Sequence, residues 1–445
     1  MDRRYFLRGA GMLAGGALLS ACGGGGGSSG GGDGHSGSNG GSSSPPVTPS
    51  PVTGGGKARV IVVGGGMGGA TVAKYLRLWG DGIDVTLVER AASYTSNIMS
   101  SLVLTGQRTL DSLTFGYNQL KTNYGINVVL DEVVNIDPVG VKVTLASGQT
   151  LSADRIVLAP GIAFDLTPGL SSFEQMPHAW QAGAQTTLLA NQLRAMRSGG
   201  TVILTVPKTP YRCPPGPYER ACLLADWLRV NKPGSKLLVL DANPGIVAEV
   251  DNFTNAFNKL HASVIEYHPG VEVTQADPSG MSLLTNGGTF RGDVINLIPP
   301  QRAGALLATA GLNNATGGRF GAVNMLSYAS TVPGADKVHI VGDASATTQP
   351  KAGHIGNQQA KVCADAISRL LTGGQPDPAP VTNSSCYSTI TMSQAAWLHV
   401  VFQYDPAASA MSAVPAANGA SAGWSSGNFK DMGTWFNALM SDSFA

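Results

Sequence analysis

The sequence predicts an α/β fold with two dinucleotide-binding-like domains and a small C-terminal domain, on three observations. The run Arg59-Val-Ile-Val-Val63 passes through Gly64-Gly-Gly-Met-Gly-Gly69 into Ala70–Leu76, which is a buried strand, a glycine turn and a helix. A second strand, Asp84–Glu89, ends in an acid about 20 residues beyond the last glycine, the distance at which a carboxylate meets a ribose hydroxyl. A further strand, helix and strand at Thr201–Val206, Glu219–Val230 and Lys236–Asp241 repeat the alternation.

Within the glycine turn each position has its own reason. Gly64 permits the tight turn, Gly66 lets the backbone approach a pyrophosphate, and Gly69 lets the helix pack closely on its strand. The helix N-terminus then faces the phosphates, and Glu89 faces the ribose. A plain glycine turn is the competing reading in a chain with 59 Gly, and the strand, the helix and Glu89 decide against it.

At 445 residues the chain has room for two or three domains. A net charge of +1 without any Lys/Arg run excludes nucleic acid as a partner. Residues 1–22 form an address: Arg3-Arg4 and the short apolar run Gly9–Ala21 have the pattern of a twin-arginine signal. Leu19-Ser-Ala-Cys22 has the pattern of a lipobox, in which Cys22 is acylated and the membrane is met through a lipid anchor only; cleavage without lipidation, or an uncleaved anchor, is the alternative. That route exports folded proteins and so suits one that acquires a cofactor before crossing. Residues 23–56 are Gly, Ser, Pro, Asn and Thr with almost nothing apolar, a tether unable to bury enough surface to order itself.

The remaining boundaries are 57–165 for the first half of the first domain, 166–295 for the second, 296–375 for the return to the first, and 376–445 for the C-terminal domain. Gly125–Val134 reads as one strand, Val141–Leu145 with Gln149–Leu151 as a hairpin, and Asp154–Gly161 as a buried strand ending in a Pro-Gly turn. After Thr201–Val206 the turn is Pro207-Lys-Thr-Pro-Tyr-Arg-Cys-Pro-Pro-Gly-Pro-Tyr-Glu219. Prolines lack the N–H groups that hold a pyrophosphate, so this second unit is expected to carry no NAD(P).

Four stretches make the chain resemble the flavoprotein subunit of flavocytochrome c sulfide dehydrogenase, a relative of sulfide:quinone oxidoreductases. They are Tyr211–Ala221, Met176–Gly183, Asn296–Gly304 and Val338–Ala344, joined by Asn383-Ser-Ser-Cys-Tyr-Ser388 near the end. The resemblance implies a glutathione-reductase-like fold, FAD, a small sulfur substrate and a c-type cytochrome subunit as acceptor. It implies FAD contacts at Gly64, Gly66, Gly69, Glu89, Val133, Gly161, Gly342, Asp343 and Asn357. Asp343 meets a ribityl hydroxyl, and Lys351 sits beside the flavin's pyrimidine end to stabilise the reduced ring, a solvated loop lysine being the alternative. Glu219 matches the family's base, and as a helix-start carboxylate it also suits a charge at the helix N-terminus.

Two departures matter more than the matches. The resemblance implies a catalytic disulfide between the positions of Cys213 and Ser345, and a serine forms none. It also implies a covalent FAD tether at Asn97 or Ser96, where no cysteine stands, so the FAD is expected to be non-covalent. Cys222 and Cys363 lie in apolar helix-like runs as core residues. Cys213 is a lone flavin-facing thiol, a partner of Cys386, or a relic, with the first preferred. Neither a metal cluster nor a haem-attachment Cys-x-x-Cys-His is present in the sequence. The catalytic expectation is therefore Cys213, Glu219 and Lys351 in an exported FAD oxidoreductase. A sulfide:quinone reductase-like enzyme and a non-catalytic flavin relay are the alternatives, the quinone reading being weakened by the want of a C-terminal amphipathic stretch.

Overall fold

A computed structural model describes residues 57–445. The twin-arginine segment, Cys22 and the tether 23–56 lie outside the described residues. In chain order the elements that position the site are β1 (Arg59–Val63), α1 (Met67–Trp79), β2 (Asp84–Glu89), β3 (Asn127–Leu130) and β4 (Arg155–Leu158). Then come α2 (Ala184–Ala195), β5 (Thr201–Val206), α3 (Gly216–Asn231), β6 (Lys236–Asp241), β7 (Ile265–Pro269) and β8 (Val294–Asn296). The chain finishes with β9 (Val338–Ile340), α4 (Gly353–Leu370), β10 (Val381–Thr389), β11 (Ala395–Asp405), β12 (Ala410–Ala413) and α5 (Ser426–Phe444).

Two parallel sheets result. The first has the order β9-β4-β1-β2-β3, so a strand from far along the chain completes the sheet begun by β1. The second has the order β7-β6-β5-β8. Strands covered on both faces read as continuous branched runs, and Val60 to Val63 in β1 are all buried. Each such side chain contributes about 1.5–3 kcal/mol by leaving water. The stretch expected as one strand over 125–134 is two, because residues 131–132 turn between β3 and Val133–Asp137; the latter pairs with Lys142–Leu145 in a separate three-stranded antiparallel sheet.

α1 packs on α4, with Gly68 close to Val341 and to the Gly356 carbonyl. β10 and β11 form a long antiparallel hairpin. α5, capped by Ser425, whose hydroxyl accepts from the Asn428 N–H, returns over α1. Contrary to expectation, an amphipathic C-terminal helix exists. Its apolar residues Met432, Phe436, Leu439 and Met440 are buried within the first core, so that face is already covered. No described helix is long and apolar enough to cross a membrane.

Candidate active site

Where the first sheet, the start of α3 and the β10 strand converge, one cavity opens. Its walls include Gly66, Gly68, Tyr94, Asn97, Gly161, Arg212, Cys213, Glu219, Gly342, Asp343, Cys386 and Trp435. α1, α3 and α4 all begin on it, and α3 carries Glu219 in its first turn. α1 and α4 both lack a side-chain cap and an acid in their first turns, leaving their positive ends open to an anion.

The glycines divide by function. Gly64 has φ +97°, and a Cβ there would lie 2.4 Å from the Ala159 carbonyl oxygen; a Cβ on Gly69 would lie 1.8 Å from the Gly64 oxygen. Both are demanded by the protein's own backbone. Gly66 is different: its φ of −73° suits any residue, and a Cβ would meet only the Tyr94 ring, at 3.7 Å. The protein itself gives no reason for glycine there, so the room it leaves belongs to the cavity. This fits a dinucleotide diphosphate. Glu89, at the end of β2, accepts from the Gly65 N–H at 2.6 Å and from the Ala91 N–H at 2.9 Å. Neither Glu89 nor the core residue Val133 lies on the cavity wall.

The thiol side is built by α3 and β10. Cys213 has φ +60°, a conformation that a non-glycine residue adopts only when held. Its N–H donates to the Lys351 carbonyl at 2.7 Å, and its own carbonyl accepts from the Gly216 N–H at 2.9 Å. Burial chiefly, then Cys386 and Glu219, push its thiol well above the usual range, while Arg212 opposes them. α3 starts three residues earlier than expected, so Glu219 is the fourth residue of the helix. Its carboxylate accepts from the Thr389 hydroxyl at 2.9 Å, and burial raises its pKa. Glu249 accepts from the Ser388 hydroxyl at 2.6 Å, while its other oxygen is enclosed without a partner; burial lifts it to about 7.

Two expectations, on Lys351 and Asn357, need correction. Lys351 lies off the cavity wall. Its ammonium donates to the carbonyls of Asp343 and Ser345, both at 2.8 Å, and lies 3.7 Å from the Phe320 ring centroid, so it clamps the loop that carries Asp343. Neither the flavin-facing nor the solvated reading describes it. The cations on the wall are Arg212, 3.6 Å from the Asp343 carboxylate, and the buried Arg220. Asn357 is fully buried and donates to Thr71, Asp442 and Ser443, tying α4 to α1 and α5 rather than facing the cavity. Ser345, also off the wall, is buried, with its hydroxyl donating to the Gly342 carbonyl at 2.8 Å. Of the two residues at the tether position, Asn97 lines the cavity and accepts from the Ala182 N–H, while Ser96 is buried.

Sequence reasoning missed Arg220. It is almost fully buried, stacks on Trp180 at 4.6 Å, and donates to the carbonyls of His178 and Ala179 and to Asn296 Oδ1. Asn296 in turn donates to the Pro177 and His178 carbonyls. A buried guanidinium without a carboxylate is tolerated only when its N–H groups are satisfied. This network joins three of the stretches singled out above, and the Arg212–Asp343 pair brings in the fourth. The signal lay in those stretches; their meeting did not.

The corresponding corner of the second sheet is closed by protein. At the end of β6, Asp241 accepts from the hydroxyls of Tyr218 and Tyr267 at 2.8 Å each, and from the Asn243 backbone and side-chain N–H groups, also at 2.8 Å. A carboxylate has about four acceptor sites, so none is left for a ribose. Among the described residues no group of three or more His, Cys, Asp or Glu is placed to hold a metal.

Residues 186–299 match the family described as sulfide dehydrogenase [flavocytochrome c] flavoprotein chain, central. Residues 58–202 match pyridine nucleotide-disulphide oxidoreductase. The chain is similar to the flavoprotein of sulfide dehydrogenase, and it is an FAD-dependent oxidoreductase. Among solved structures it is similar to the sulfide:quinone oxidoreductase of Aquifex aeolicus, at 17% identity over 87% of this chain and 91% of that one, with a TM-score of 0.71. An NAD-dependent persulfide reductase from A. fulgidus is 14% identical over 86% and 77% of the two chains, TM-score 0.60. A ferredoxin reductase from Rhodopseudomonas palustris is 18% identical over 79% and 89%, TM-score 0.58. These likenesses establish the shared fold.

Proposed function

We propose that this flavoprotein oxidises a small reduced sulfur compound at the cavity and passes the electrons singly to a separate c-type cytochrome. The observation that carries this reading is that Cys213 and Glu219 share their wall with Gly66, Gly342 and Asp343. When bound, FAD supplies an acceptor that takes two electrons together and releases them one at a time. The chain's own residues do the rest. Gly66 and the N-terminus of α1 receive the diphosphate, and Arg212 orients Asp343 toward a ribityl hydroxyl. Glu219, its affinity for protons raised by burial, takes the proton of the incoming sulfur species. Met99, Trp180, Met432 and Trp435 keep the walls largely apolar and limit water.

The FAD is held without a covalent bond, since no thiol stands at Asn97 or Ser96. NAD(P) is not a substrate, because the turn of the second unit is proline-rich and Asp241 has its acceptor sites filled. Export by the twin-arginine route and lipid attachment at Cys22 put the enzyme in the periplasm beside its cytochrome. Similarity to a sulfide:quinone oxidoreductase makes quinone the competing acceptor; the covered apolar face of α5 weighs against it.

Anaerobic mixing with sulfide, followed by a soluble c-type cytochrome or a short-chain quinone, tests the reading. Bleaching of the flavin band with faster reoxidation by the cytochrome is expected. Reoxidation by the quinone alone moves the protein to the alternative enzyme class. Absence of bleaching by sulfide, polysulfide and thiosulfate rejects sulfur oxidation and leaves the flavin relay.

A further inference from the structure

Two of the four described cysteines, 173 positions apart in sequence, stand on the wall of the same cavity, and both are free thiols: Cys213 before α3 and Cys386 in β10. β10 packs on α3, the helix that Cys213 precedes, and the two are tied by the Thr389–Glu219 hydrogen bond. The Cys213 sulfur faces a glycine: a Cβ on Gly216 would lie 2.8 Å from it and 2.8 Å from the Trp180 ring, so the sulfur's room depends on Gly216 having no side chain. After burial, Cys386 is the strongest influence on the Cys213 thiol. Each sulfur also has a carboxylate in its surroundings, Glu219 for Cys213 and Glu249 for Cys386, and one Glu249 oxygen is enclosed without a partner. The other two thiols, Cys222 and Cys363, are fully buried inside α3 and α4, and neither lines the cavity.

We propose that Cys213 and Cys386 form the reversible dithiol/disulfide pair of this cavity, with Glu219 and Glu249 receiving their protons. The proposal deepens the function given above and rests on it only for the electron acceptor. The pair itself is open to test with a small organic disulfide, RSSR. Cys213 gives its proton to Glu219 and attacks one sulfur, forming a Cys213–SR bond and releasing RS⁻. Cys386 gives its proton to Glu249 and attacks the Cys213 sulfur, forming the Cys213–Cys386 bond and releasing the second RS⁻. The two carboxylates return their protons to the leaving thiolates, so two protein thiols and RSSR become one protein disulfide and two RSH. During turnover the same electron pair passes to the bound flavin.

The test is thiol mapping of the full chain with bis(2-hydroxyethyl) disulfide, followed by alkylation and non-reducing peptide mass analysis. The expected result is a peptide linking Cys213 to Cys386, with Cys222 and Cys363 still alkylated. Cys386→Ser should stop at a hydroxyethyl adduct on Cys213, and Cys213→Ser should leave Cys386 unlinked. A stable adduct on wild-type Cys213 with Cys386 still free, no reaction at Cys213, or a link to a different cysteine each overturns the proposal. Reduction of the flavin by sulfide should slow at least tenfold in Cys386→Ser, and Ser345→Cys in that background should not restore it. If the link forms but no sulfur compound bleaches the flavin, the pair stands and the substrate reading fails.

Discussion

The two parallel-sheet halves of this molecule start from the same strand, turn and helix and finish with opposite local chemistry. In the first, β1 runs through glycines, Gly66 leaves space that no protein atom claims, and the acid at the end of β2 holds only backbone N–H groups. In the second, prolines fill the turn after β5, and the acid at the end of β6 is saturated by two tyrosines and an asparagine. The rings of Tyr218, Phe253, Phe257 and Tyr267 then pack on one another where the first half stays open. One half is open like a cradle; the other is a wall that delivers Cys213 and Glu219 to its partner. A strand order shared by two halves therefore gives them a shared shape, while the turn residues set the chemistry at the end of each sheet.

The difference can be attacked from either side. The largest effect is expected from Gly69→Ala. Its Cβ would lie 1.8 Å from a backbone oxygen that cannot rotate away, so little soluble folded protein should be recovered; normal yield and unfolding midpoint would show that α1 can slide on β1. Asp241→Ala should cost about 3 kcal/mol or more in urea unfolding, because two buried hydroxyls and an amide lose their acceptor. Its flavin content should stay that of the wild type, and a loss of flavin would mean the second half also contributes to the cradle.

A pH effect comes next. Glu249 keeps its proton in the folded chain up to about 7 but releases it near 4.5 when unfolded. Its contribution is complete below pH 4.5 and is lost as pH rises through 7, worth about 3 kcal/mol at most. Glu249→Gln should flatten the fall in unfolding free energy over that window, and an unchanged slope would assign the fall to other groups. The smallest expected effect is none at all: NADH or NADPH at millimolar concentration should leave the flavin band unaltered under anaerobic conditions. Bleaching by either would reopen the second half as a nucleotide site.

What was legible in the sequence was local. β1, α1, β2 and the second unit each carry their hydrophobic period and turn residues within about 20 positions. α5 was missed because Gly427 and Gly433 interrupt a weakly apolar stretch; Met432, Phe436, Leu439 and Met440 make the helix by packing into a core assembled from the other end of the chain. Lys351 and Asn357 were placed beside the flavin because the family resemblance puts their segment there. In the structure Gly353, His354 and Gly356 line the cavity, while Asn357 turns inward and Lys351 reaches back to the carbonyls of Asp343 and Ser345. The direction of a side chain at the mouth of a helix depends on partners such as Thr71 and Asp442, which lie 286 and 85 positions away. Cys386 was recognised as a pairing option for Cys213, but only the packing of β10 on α3 brings both to one wall.

Gly66→Val tests most directly whether the first half alone holds the cofactor. The added Cβ has no backbone conflict at φ −73° and meets only the Tyr94 ring. Far-ultraviolet circular dichroism and urea unfolding should match the wild type, while FAD released by acid falls from about one per chain to under a tenth. A folded variant that still releases wild-type amounts of FAD would contradict the cradle assigned to Gly66.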